Sequence, residues 1–73
     1  MKGNTMNYYE WSNEYYKSAL EVNDSIEKLK NQRKIAPKSI IKELDSRITE
    51  YKKIYNDCMS IANHLMNRYY GLD

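Results

Sequence analysis

From Ile41 to Leu72 the apolar residues Ile41, Leu44, Ile48, Tyr51, Tyr55, Cys58, Ala62, Leu65, Tyr69 and Leu72 follow one another in strictly alternating steps of three and four. That spacing keeps one stripe of an α-helix turned towards a partner helix, as in the a/d seam of a coiled coil. A strand would need a period of two. A chain with this pattern over nearly half its length must pair that stripe with something, and the remaining sequence is read by asking what covers it.

The first half supplies a partner. Tyr8, Trp11, Tyr15, Ala19, Val22, Ile26 and Leu29 recur at helical spacing, within an arc of about 80–100° at ~100° per residue. Glu10, Asn13, Lys17, Glu21, Asp24 and Lys28 occupy the other side. Asn7 or Thr5 supplies a capping oxygen for the start of this helix. Pro37 ends it, because the residue before a proline is pushed out of the α region. Pro37 at a first helical position, or Ser39 as a cap, opens the next helix, and Gly71 stops it. The expected organisation is a polar, disordered leader over 1–6, a helix over 7–34, a turn over 35–38, a helix over 38–70 and a C-terminal stop over 71–73. The fold class is all-α, two long helices in an antiparallel, coiled-coil-like hairpin. Setting the seams from the turn outwards brings Leu29 to Leu44, Ile26 to Ile48, Val22 to Tyr51, Ala19 to Tyr55 and Tyr15 to Cys58, with Tyr8 and Trp11 meeting Ala62 and Leu65.

A hairpin leaves apolar surface over. Ile40, Ile54 and Ile61 form a stripe beside the seam of the second helix, and Met59, Met66 and Tyr70 form another on its opposite flank. Tyr9, Tyr16 and Leu20 lie off the seam of the first helix. The combined arc exceeds the ~100° that one partner covers. A chain of 73 residues builds a core worth about 3–5 kcal/mol, so self-association into a four-helix or larger bundle is expected. The contact residues for a second copy or another protein are Tyr9, Tyr16, Leu20, Ile54, Met59, Ile61, Met66 and Tyr70.

Charge is unevenly placed. Lys28, Lys30, Arg33, Lys34, Lys38 and Lys42 crowd the turn, whereas the first third carries Glu10, Glu14, Glu21 and Asp24 against Lys17. Lys30, Arg33, Lys34, Lys38 and Lys42 are therefore candidate anion contacts. A nucleic-acid reader would want aromatics beside that patch. The tyrosines instead gather at the far end, about 30 Å away by helical rise, which argues against nucleic acid; an oligomeric binder of nucleic acid or a nucleotide signal through the basic turn stands as an alternative.

Catalytic and metal chemistry finds no constellation. His64 is the single histidine and Cys58 the single cysteine; six residues apart on a helix, they stand about 120° from one another and form no nucleophile–base pair. Asp57 and His64 share a face but lie about 10 Å apart, too far to hold one metal. The two glycines cannot build a phosphate loop. The expectation is a non-enzymatic protein with no cofactor. No apolar run reaches membrane-spanning length, and a lone cysteine on a seam fits a reducing, cytoplasmic setting. The many Tyr, Asn, Lys and Ile codons point to a low-GC bacterium or its phage as the host.

Two resemblances follow. Tyr8-Tyr9-Glu10-Trp11, Tyr15-Tyr16, Ile26-Glu27-Lys28-Leu29 and the closing Tyr69-Tyr70 resemble short coiled-coil hairpin proteins of phages and mobile elements of low-GC Gram-positive bacteria. That resemblance implies an accessory protein that binds a host protein as inhibitor or adaptor. Ile26 to Lys30, followed by Lys42-Glu43-Leu44-Asp45 and Tyr51, is similar to the Spo0E-like helical-hairpin regulators, which dephosphorylate a response-regulator aspartate. Asp45 matches the acid of that family's Ser-x-x-x-Asp motif, and Ile41 stands at its serine position.

Overall fold

The computed structural model describes residues 7–71. The leader expected over 1–6, and Leu72 at the end of the seam, lie outside them. Helix α1 spans Tyr8–Ile35 and helix α2 spans Lys38–Tyr70. They pack side by side as an antiparallel pair, with no strand among the described residues.

Each end of each helix has a local cause. Asn7 caps α1: its side-chain oxygen accepts from the Glu10 amide at 2.8 Å, and the Glu10 carboxylate accepts from the Asn7 amide at 3.3 Å. This reciprocal box satisfies two amides that the first turn leaves without intrahelical partners. Ala36 stands in the extended region before Pro37 and breaks the helix there. Pro37 is the N-cap of α2, so only Ala36 and Pro37 separate the helices. Gly71 closes α2 in the left-handed region at φ 72°, donating its amide to carbonyls of the last turn.

The buried core is short and lies towards the turn. Ile26 and Leu29 from α1 meet Leu44 and Ile48 from α2, with Val22, Ala36 and Tyr55 packed against them. Towards the open end the line of contact is made of small residues, Ser12 and Ala19 on α1 and Ala62 on α2, each with no exposed surface. This departs from the expected seam. Trp11 remains 45% exposed and Tyr15 39% exposed, while Ser12 between them is sealed. Ser12, Ala19 and Ile26 are seven residues apart and define the facing line. Small side chains there let the backbones draw together, and the large aromatic rings are displaced to the edges of the contact. Tyr51 and Tyr69, also expected on the seam, are displaced outward in the same way.

The molecule is long and thin, with extents of 54 × 26 × 13 Å. The smallest of these is one helix diameter, about 10–12 Å. Among the described residues no third layer exists, so the side chains flanking the facing line look out from one of two broad faces.

Candidate interaction surfaces

The two broad faces differ in what they offer. On the first, Ser18, Glu21, Val22 and Ser25 of α1 and Tyr51 and Ile54 of α2 line an open groove of about 310 Å³ at the middle of the hairpin. Ser18 and Ser25 follow Trp11 at seven-residue intervals, so this flank of α1 presents one large ring and then two small side chains. On α2 the same face continues through Ile54 and Ile61, both exposed by more than two-fifths, with Cys58 and Leu65 half-buried beside them.

The second face carries Tyr9, Tyr16 and Leu20 from α1 and Met59, Met66 and Tyr70 from α2. Tyr16 is not free there: its hydroxyl donates to Asn63 Oδ1 at 2.6 Å, a tie between the helices that leaves the ring half-buried. Leu20 at 66% and Tyr70 at 62% exposure are the most open apolar side chains on this face. The methionines are half-buried and can repack against a partner.

Aromatic contacts knit the open end together. The Tyr9 and Tyr69 rings lie 5.3 Å apart and the Tyr69 and Tyr70 rings 5.1 Å apart. Tyr8 meets Trp11 edge-on at 6.1 Å, and the Arg68 guanidinium lies 5.8 Å from the centre of the Tyr8 ring while Nη1 donates to its hydroxyl at 3.4 Å. Such ring–ring and cation–ring contacts order side chains that would otherwise lose entropy on binding.

At the turn end, Arg33 and Asp45 form a two-pronged ion pair across the helices, Nε to Oδ1 at 2.5 Å and Nη2 to Oδ2 at 3.3 Å. The hydrogen bond from Arg33 holds the Asp45 carboxyl below its ordinary range, and the same bond raises Arg33 further. Lys30 pairs with Glu27 at 3.6 Å. Of the five candidate anion contacts, Lys34, Lys38 and Lys42 thus remain without an acidic partner among the described residues. Asp45, the residue carried over from the Spo0E-like resemblance, is occupied by Arg33 rather than standing open to an incoming group.

Among the described residues no group of His, Cys, Asp and Glu is placed to hold a metal ion, and no helix is long and apolar enough to cross a membrane. No family model matches the chain, and neither a curated protein nor a solved structure matches it.

Trp11, Tyr15 and Tyr51 are surface residues that the spacing argument assigned to the seam. The seven-residue recurrence of small residues at Ser12 and Ala19 was the signal that displaces them. Ile35, 87% exposed at the last position of α1, is a further exposed apolar residue, one that no periodic pattern marked.

Proposed function

We propose that this chain is a non-enzymatic accessory protein of a phage or mobile element that works by stoichiometric binding to a protein of its bacterial host, as inhibitor or adaptor. The observation that supports it most is the second broad face, where Leu20 and Tyr70 stand open beside Met59 and Met66. Tyrosine gives rigid, amphipathic contact area, and methionine adapts its shape to what it meets. Tyr9 is pre-ordered against Tyr69 at the edge of the same surface.

The test begins with the chain immobilised and a host lysate passed over it, followed by calorimetry with the purified captured protein. Saturation at a fixed ratio per chain, with affinity reduced at least tenfold by Leu20→Glu, is the expected result. A captured protein whose binding ignores Leu20→Glu and Tyr70→Ala, or no captured protein at all, would remove this reading.

A further inference from the structure

We infer that the first broad face, the one with the central groove, is closed by a second copy of this chain, stacked with its turn at the opposite end. The first ground is area. A compact monomer of 8.8 kDa exposes about 4,800 Å². This hairpin exposes 5773 Å², an excess of about 1,000 Å² that is close to the ~800 Å² each partner buries in a standard interface. Its radius of gyration of 16.5 Å likewise exceeds the ~11 Å of a compact domain of this length. A second copy layered on one face adds mass without adding length, so it brings the radius closer to that of a compact body.

Shape and charge select the second copy and its direction. The groove lies at the midpoint of both helices, near residues 18–25 of α1 and 51–54 of α2. A two-fold axis through it, perpendicular to the helices, overlaps the two hairpins along their whole length. Ile54 then meets Ile54 of the second copy, and Ser18 meets Val22. Tyr15 lies over Ser25, so a large ring enters the space left by a small side chain.

The same axis sets the acidic first half of α1 against the basic turn end of the other copy, with Glu10 and Glu14 on either side of Lys28. Arg68 reaches Glu43. Like-charged groups meet in two places: Glu50 with Asp57 on the solvated rim, where such contacts weigh little, and Glu21 with Glu21 of the second copy beside the axis, since Glu21 lines the groove. Stacking with both turns at one end would instead bring together two clusters of Lys28, Lys30, Arg33, Lys34, Lys38 and Lys42. Antiparallel stacking keeps those clusters at opposite ends of a body 54 Å long.

This dimer does not depend on the host-binding proposal, which uses the other face. Light scattering after size exclusion, at two concentrations a hundredfold apart, should give twice 8.8 kDa at the higher one. Ile54→Glu should weaken association at least a hundredfold, and Leu20→Glu on the opposite face should leave the mass unchanged. To separate loss of association from loss of fold, the helicity of Ile54→Glu is followed by circular dichroism, and a second readout carries the geometry. In a Cys58→Ser background, Ile54→Cys lies on the axis and should form an interchain disulfide under mild oxidation. A monomer at both concentrations overturns the inference. So does a dimer dissociated by Leu20→Glu and not by Ile54→Glu, or a dimer in which Ile54→Cys does not cross-link. Loss of host-protein capture with the dimer intact would count against the host-binding reading alone.

Discussion

Ser12 offers the sharpest test of how the helices meet. Its hydroxyl oxygen is sealed from solvent and has no hydrogen-bond partner among the described residues. Leaving a buried hydroxyl unsatisfied costs about 1–3 kcal/mol. Ser12→Ala removes that oxygen and leaves a cavity smaller than a methyl group. It also exchanges serine for the best helix former, a further gain of up to about 0.7 kcal/mol. The net expectation is a stabilisation of about 1–2 kcal/mol, which in a domain of this size raises the midpoint by roughly 5–10 °C. Ser12→Leu runs the other way. Two added heavy atoms on a line already closed at Ala19 and Ala62 overpack it, at a cost of about 1–3 kcal/mol. Both variants are compared with the parent by thermal unfolding at one fixed protein concentration, since association shifts the midpoint. A destabilised Ser12→Ala, or a stabilised Ser12→Leu, would show that the facing line runs through Trp11 and Tyr15 after all.

Three further outcomes are expected. The Asp45 carboxyl is held below its ordinary value by Arg33, so the pair contributes stability above the unfolded carboxylate range and loses it as pH falls through the lowered folded value. The stability difference between parent and Asp45→Asn should therefore be small, largest near neutrality, and vanish in acid; urea titrations at pH 7 and pH 2.5 that give equal differences would contradict it. Asn7→Ala breaks the capping box and should cost about 1 kcal/mol, with faster amide exchange at Glu10 and no change at Ile26. Gly71→Ala forces a side chain into the left-handed region, for about 1 kcal/mol. Nothing lies within 4 Å of the added carbon, so the cost comes from the backbone conformation and not from a clash at Cβ, and a thermal melt in which Gly71→Ala matches the parent would contradict it.

The sequence was most legible where one residue does one job. Pro37 and Gly71 break or stop a helix through their own backbone chemistry, and Asn7, one of two candidate caps, closes the start of one through its side-chain oxygen. The aliphatic layers from Val22 to Leu29 and from Leu44 to Ile48 were legible for a related reason, since a three-four alternation of residues with no polar atoms admits one facing line. The aromatic half of α1 was not. Tyr8, Trp11 and Tyr15 satisfy the spacing rule as well as Ser12 and Ala19 satisfy the rule for close approach, and periodicity does not weigh size against clearance. Periodicity likewise gave no sign that the Tyr16 hydroxyl finds Asn63 some 47 positions away.

By itself, then, the sequence determined that two amphipathic helices form, where each begins and ends, and that a two-residue break folds them back on one another. These follow from local chemistry and from a period that any helix imposes. Only the tertiary structure decided which residues occupy the facing line at the open end, and hence which apolar groups are left on each broad face. That choice depends on how closely two backbones approach. The distance is set by the smallest side chains on the line, Ser12, Ala19 and Ala62, acting together across helices, and no stretch of either helix contains it alone.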